Sequence, residues 1–552
     1  MVAAAAAVLA YVGSLQFDFV WDDRILILGN PWMQSWHYLP QYFSRHLFAG
    51  TRPTAVGFFW RPLFVVWLRL NYSLWGPHPA PWHAVTIAVH AAACALLFVL
   101  ARRLSGSAAT GLVAALIFAV HPATIETAAW VSGMPDSVCA ILLMGSLLLY
   151  AGARQRSSPA RYAATVALYA MALLVKETAI VFPVLLVAYE IFFVPPGTEP
   201  RPRNAVIATT AAITVVYFFA RHAALSSFAH PANAATVVDA VLTAPALLLS
   251  YLRLLPAPWP ISPHYGLALA GGAGLRVFWL PLLGLLAIAA LAAVWWVRAG
   301  VSARAQTARF ALAWMAAFLV LSLYAPAILG SDFLHVRYLY LPAVGFALLL
   351  GSAIPLLPRA TSLAVGAAVL LALIVLNVTQ QGYWANDLVL SARGAAVAPR
   401  NVPALAEYGV QLGIRGERDR ALQVLRQAAT LDPHYWYAVA SLGYTEYSLG
   451  LWADAEGHFK SSIPLLPEPV EQYLYLGIAA ARLGKMDEAE WALREAIRRQ
   501  PQAPRYHMAL ALVLEQEGKP EEAAQAAREE VQIDPAAQDA RELLARVSPA
   551  SK

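Results

Sequence analysis

Charge is what this chain has least of. Only 13% of its 552 residues are Asp, Glu, Lys or Arg, while 59% are hydrophobic. Soluble proteins of ordinary composition carry about 25% charged residues. The mean hydropathy is +0.56, and together these values exclude an ordinary water-soluble enzyme. Cysteine is nearly missing as well. Cys94 and Cys139 are the two present; both sit in apolar stretches, form no disulfide framework and show no metal-ligand spacing. They read as small core residues. The net charge of +6 contains no run of Lys or Arg, which excludes the basic stripe of a nucleic-acid binder. No Walker-type loop, nucleophile elbow or metal motif occurs.

Long apolar runs alternate with short polar loops up to about residue 380, and beyond about 400 the chain turns rich in Glu, Arg and Gln. An all-α protein follows, with a multi-span membrane domain over 1–380, a linker over 381–400 and a soluble domain over 401–552. A spanning helix needs about 20 mostly apolar residues. Windows of that size place eleven spans, near 1–16, 82–101, 107–120, 137–152, 161–175, 178–195, 205–221, 277–297, 309–328, 338–357 and 361–379. The stretch 239–256 is ambiguous, because Arg253, Pro256, Pro258 and Pro260 crowd its end.

Basic residues settle sidedness, since cytoplasmic loops carry the excess of Lys and Arg. If 239–256 does not span, the short loops holding Arg102, Arg103, Arg154, Arg156, Arg161, Arg201, Arg203, Arg298, Arg304, Arg309 and Arg359 share one side, with little acid beyond Glu199. That side is expected to be cytoplasmic, and 239–256 is expected to lie along the outer surface. The long loop 17–81 and the soluble domain then lie outside. No Lys or Arg precedes Arg24, so the first apolar segment suits a cleaved signal or a chain that begins further upstream.

The soluble domain is a counted repeat. Pro399, Pro433, Pro467, Pro501 and Pro535 stand 34 residues apart, as do Gly416, Gly450, Gly484 and Gly518, and Ala421, Ala455, Ala489 and Ala523. Gly409, Gly443, Gly477 and Ala511 form a fourth register. A 34-residue period is the signature of tetratricopeptide repeats: four are expected over about 402–535, with a capping helix over 536–547. Such solenoids present a concave surface to peptides or partner proteins. Tyr435, Trp436, Tyr437, Tyr444, Tyr473, Tyr475 and Tyr506 suit either that surface or the packing between repeats.

Ionisable residues beside membrane spans are costly and therefore mark function. Asp18, Asp22 and Asp23 follow the first apolar segment, His121 and Glu126 lie in HPATIETAAW, and Asp136 opens the fourth span. Lys176 and Glu177 separate the fifth and sixth spans, and His335 and Arg337 precede the tenth. All fall on the expected outer side, which points to one external pocket.

These residues stand in short motifs whose order is specific: FVWDD at 19–23, WRPL at 60–63, RLNYSLWG at 69–76, HPATIE at 121–126, KE at 176–177 and RYLYLP at 337–342, followed by repeats. In that order the chain resembles GT-C class membrane glycosyltransferases, and more closely the TMTC-type protein O-mannosyltransferases and their bacterial relatives. Val336 stands where that family usually has an acidic residue, and Thr86 where it has Asn. The resemblance implies inverting transfer of a sugar, mannose first, from a dolichyl or other polyprenyl phosphate to Ser or Thr hydroxyls of a protein brought by the repeats. Asp22 or Asp23 would be the general base, the family pattern favouring Asp23. Lys176, His121 and Arg337 would stabilise the leaving phosphate, and Glu126 and Glu177 would position groups or help hold a metal, which this chemistry does not demand. Asp136, His335, Arg61 and Tyr340 complete the implied substrate site. A lipid or glycan acceptor and a non-catalytic membrane scaffold are the alternatives. An Ala-rich, Arg-over-Lys composition suits a bacterial inner membrane with periplasmic repeats, an ER membrane with luminal repeats being the other possibility.

Overall fold

In a computed structural model the described residues are 1–51, 59–195, 197, 201–225, 236–272, 274–323, 325, 332–466 and 468–547. Glu199, Pro467 and the end of the expected span 309–328 lie outside them. The chain divides into two units between Arg393 and Gly394.

The first unit is a bundle of apolar helices. Among the described residues eight are long and apolar enough to cross a membrane, and a ninth arises if Ala108–Val120 and Pro122–Ala128, bent by 60°, count as one. Eleven full spans are therefore not reached. The segments expected at 1–16 and 161–175 form the short helices Val2–Gln16 and Pro159–Val175. The segment at 178–195 is divided into a tight turn at Glu177–Val181 and a 12-residue helix, Phe182–Phe193. Pro159–Val175 stops at Lys176, and the turn beginning at Glu177 precedes Phe182–Phe193, each short of about 20 residues.

Small residues bring the inner helices together, as packing in lipid favours. A Cβ on Gly345 would stand 2.7 Å from the Ala311 carbonyl, one on Gly351 2.7 Å from that of Thr110, and one on Gly111 2.8 Å from that of Phe98. Helices Leu280–Arg298 and Arg359–Gln381 instead keep most of their side chains exposed to the surroundings. Basic residues collect at one end of the bundle. There Arg154 pairs with Glu190 at 2.9 Å, Arg103 bonds Gln155 and Arg309 bonds the Trp296 carbonyl.

Helix Val237–Leu254 passes the length and composition test for a span, yet its contacts tie it to the opposite end. The His121 ring donates to the carbonyl of Leu255, just past its last turn, at 2.8 Å. Nearer its start, Thr243 Oγ1 accepts from Ala270 N at 2.9 Å. Ala270 precedes helix Leu280–Arg298, whose far end packs Trp296 on Phe192. Both halves of the helix thus sit near one face.

The second unit is an array of four helix pairs: Val402–Ile414 with Arg418–Leu431, Trp436–Ser448 with Trp452–Ser462, Val470–Arg482 with Met486–Arg499, and Tyr506–Gln516 with Pro520–Ile533. Helix Gln538–Val547 caps it. Its two glycine registers do different work. Gly416, Gly450, Gly484 and Gly518 take φ between +73° and +82°, the left-handed geometry that turns the chain between helices. Gly409 and Gly477 sit in closed packing, where an added Cβ would come within 2.5 Å and 2.6 Å of Leu425 and Leu493. The aromatics divide too. Tyr473 and Tyr506 are buried between helices, while Tyr437 and Tyr444 line one surface cavity and Tyr475 another.

Overpacking a closed core costs about 1–3 kcal/mol. Gly477→Ala should lower the heat-unfolding midpoint of the repeat unit, whereas Gly413→Ala, whose nearest neighbour is 4.0 Å away, should not. Calorimetry of the purified full-length chain distinguishes the two.

Candidate active site

The long loop after the first helix forms a small core of its own. Phe19, Leu26, Ile27, Trp32, Met33, Tyr42 and Leu47 pack against Phe64, Leu68 and Trp82 from the next two helices and against Val131 and Met134. This core holds the motif FVWDD at the bundle face. Trp21 adopts φ +52°, a left-handed conformation that costs a non-glycine residue about 1–3 kcal/mol and persists only where its surroundings impose it. The surroundings are specific: its ring meets Trp130, Trp384 and His264 edge-on at 5.8, 5.6 and 5.5 Å.

Directly after this strained residue the two aspartates part. Asp23 is fully buried, accepting from Ser132 N at 2.8 Å, from Ser132 Oγ and from Val20 N at 3.2 Å. Burial pushes its carboxyl up to about 7 against the pull of those donors, with Asp22 adding to the rise. Asp22 lines a small cleft together with Arg61, Asp136, Lys176, Arg337 and Tyr338, with Trp130, Ser132 and Gly133 also in its wall. Gly133 is obligatory there, since a Cβ would stand 2.3 Å from the Glu126 carbonyl.

Each cation of the cleft has a carboxylate beside it. Arg61 forks onto Glu177 at 2.9 and 2.5 Å. Lys176 pairs with Asp136, both nearly inaccessible. Arg337 binds Glu126 twice, through Nη1 at 2.8 Å and its backbone N at 2.9 Å. Burial would raise Glu177, but Arg61 holds it down to about 2. Glu126 is wholly buried, and Arg337 keeps 22% of its side chain exposed. Arg337 therefore presents positive charge to the cleft, and Asp22 lies within its field.

Three expected site residues stand apart from this cleft. His121 donates from Nε2 to Leu255 O and accepts at Nδ1 from Ala123 N at 3.1 Å. An accepting nitrogen carries no proton, so His121 is a neutral helix cap here and not a cation. Tyr340 is fully buried, with its hydroxyl 2.8 Å from His90 Nδ1. His335 is buried, its ring nitrogens facing the carbonyls of Pro263 and Asp332 at 3.1 and 3.2 Å. The cleft also contains groups that the motif reading passed over: Trp130, whose ring lies under Arg337 at 5.7 Å, and Ser132, the partner of Asp23. Neither is ionisable, so the cost of charge near lipid gave no sign of them. Among the described residues no three His, Cys, Asp or Glu converge as a metal site.

Residues 61–224, which supply most of the cleft, match the family model described as dolichyl-phosphate-mannose-protein mannosyltransferase. Residues 415–468 and 474–546 match that of the tetratricopeptide repeat. Human protein O-mannosyl-transferase TMTC4 is 26% identical over 495 residues, covering 77% of this chain and 65% of that protein. The chain is similar to the TMTC protein O-mannosyltransferases. Drosophila melanogaster Tmtc2 is 38% identical over 191 residues, 32% of this chain and 19% of that protein, and Drosophila Tmtc1 is 35% identical over 178 residues, 32% and 21%. The chain thus spans less than two thirds of the length of these relatives. Its membrane unit carries a glycosyltransferase-family domain in a multi-pass setting.

A carboxyl that is held near 7 in the fold but ionises near 3.8 when free binds its proton more tightly when folded, so wild-type stability falls as pH rises through that window. Asp23→Asn keeps one oxygen, enough for the Ser132 donors though not also for the Val20 amide, and lacks this penalty. Its unfolding midpoint should gain on wild type between about pH 4 and pH 7; a constant difference would mean that Asp23 is ionised throughout.

Proposed function

We propose that the protein transfers a sugar, mannose first, from a polyprenyl or dolichyl phosphate to Ser or Thr hydroxyls of a protein acceptor. The observation that carries this reading is the cleft itself: Asp22 shares it with Arg61, Lys176 and Arg337, a carboxylate facing three cations. Asp22 is the general base, taking the proton of the acceptor hydroxyl as its oxygen attacks the anomeric carbon. The bond from that carbon to the phosphate oxygen breaks with inversion, and the electron pair leaves on the phosphate. Arg337, Lys176 and Arg61 stabilise the developing charge, already oriented by Glu126, Asp136 and Glu177, so no reorganisation is needed at the moment of transfer. Asp23 serves this step by anchoring the loop through Ser132, which reverses the preference that the family pattern suggests. Apolar helices on either side suit the polyprenyl chain.

Sidedness supports the same reading. Arg103, Arg154 and Arg309 sit at the end of the bundle away from the cleft, so a positive cytoplasmic side leaves the cleft on the outer face. That face is periplasmic if the membrane is a bacterial inner membrane and luminal if it is that of the ER. The repeats recruit the acceptor protein on that side.

Purified full-length chain offered polyprenyl phosphate mannose and a Ser/Thr-rich peptide should add one hexose, read by intact mass. Asp22→Asn should reduce transfer by about 100-fold or more, the scale of a lost general base, while Asp23→Asn retains more of it. Transfer by Asp22→Asn at the wild-type rate would remove Asp22 as base, and hexose found only on a lipid or glycan would replace the acceptor.

Deleting residues 400–552 should leave the rate on a short peptide unchanged and lower the rate on a folded acceptor protein. Equal losses on both would end the recruiting role of the repeats.

A further inference from the structure

The strained backbone at Trp21 has a holder that no motif covers. Trp21 N donates to Asp387 Oδ1 at 2.9 Å, and the second oxygen of the same carboxylate is ion-paired with Arg24. The donors flank Asp22 and Asp23 in sequence, and their acceptor lies more than 360 residues away. Asp387 is itself largely buried. It opens helix Asp387–Val397, within which the chain passes from the membrane unit into the repeat unit.

The segment bearing Asp387 is fastened on both sides. Gln380 donates to Pro258 O at 3.0 Å and accepts from Ile261 N at 2.6 Å, and Gln381 donates to Ala10 O at 2.7 Å. Ala385 O accepts from Asp18 N at 3.0 Å, and Arg393 donates to Ile261 O at 3.0 Å. Trp384, wedged between Trp21 and Trp130, completes the grip. Asp387 is thus set in part by contacts outside the loop it holds, those to Ala10, Pro258 and Ile261.

We propose that Asp387 is a positioning residue for the transfer reaction: by binding the Trp21 amide it holds the left-handed turn that directs Asp22 into the cleft. The inference rests on the reading of Asp22 as base. Through Asp387, the segment that leads into the repeats sets the direction of that carboxylate. A released Trp21 would return to ordinary backbone geometry and swing the next side chain away from the three cations. Misplacement of a reacting group by about 1 Å can cost 100-fold in rate.

The test compares wild type, Asp387→Ala, Asp387→Asn and Asp22→Asn as full-length purified chains, with polyprenyl phosphate mannose and the Ser/Thr peptide, alongside hydrogen exchange of the segment 18–26. Asp387→Ala should lower kcat by about 10- to 100-fold with the donor KM nearly unchanged, and should speed exchange at 18–26 while helices Pro79–Ser105 and Pro135–Gln155 stay protected. Asp387→Asn keeps an oxygen for the Trp21 amide and gives up the charge and the pairing with Arg24, so it should recover most of the rate and the protection if the Trp21 bond is what positions Asp22. An inactive Asp22→Asn beside an Asp387→Ala of wild-type kcat would overturn the positioning role alone. So would equal losses in Asp387→Ala and Asp387→Asn with exchange raised throughout the membrane unit, which marks a merely structural residue. If Asp22→Asn keeps wild-type activity, the base reading fails on its own. The exchange arm then decides whether Asp387 holds Trp21, and unaltered protection in Asp387→Ala overturns that as well.

Discussion

A charge at the edge of a bilayer must find a counter-charge nearby, because desolvation costs several kcal/mol per ion and the low dielectric repays it only across short, well-formed pairs. The cleft obeys this constraint three times over. Arg61, Lys176 and Arg337 each face it with a carboxylate in contact, from Glu177, Asp136 and Glu126 respectively. Those carboxylates come from three separate stretches of chain, so pairing the charges also fixes how the stretches meet. Glu126, on a short helical turn, and Arg337, at the head of a span, lie 211 residues apart in sequence. Their two hydrogen bonds join those segments at the floor of the site.

The second organising feature is backbone strain. Trp21 sits in a backbone conformation that glycine adopts freely and tryptophan rarely does, with its ring enclosed and its amide bonded to Asp387. Trp130, Trp384 and His264 enclose it on three sides. The adjacent aspartates point to different environments. Asp23 goes inward to Ser132 and the Val20 amide, and Asp22 goes to the cleft. Two identical neighbouring side chains thereby acquire different chemistry from their surroundings.

The repeat unit is organised by local geometry instead. Its turn glycines at φ near +75° and its close-packed glycines recur every 34 residues, and each helix pair meets mainly its neighbours, as expected of a solenoid. Several of its ion pairs, such as Arg420 with Glu417 and Arg494 with Glu522, lie at the surface, where single pairs contribute little.

The repeats could be read from the sequence alone, because a 34-residue period is local information. So could the membrane character, the division of the chain and the charged groups gathered at one face, because the cost of burying charge is paid residue by residue. Asp136, Lys176 and Arg337 stand out that way and line one cleft, together with Arg61, which only the resemblance implied. Tertiary structure decided the rest. His121 and Tyr340 carry polar atoms in suggestive motifs, but their partners, Leu255, Ala123 and His90, are chosen by packing and take them out of the cleft. Asp387 lies in what reads as a linker, and nothing near it in sequence shows that its oxygens bind Trp21 and Arg24. Whether Asp22 or Asp23 meets the cleft was beyond any motif, because the two side chains are identical and only folding buries one against Ser132 and leaves the other in the cleft, on a backbone that Asp387 bonds from the other end of the membrane unit.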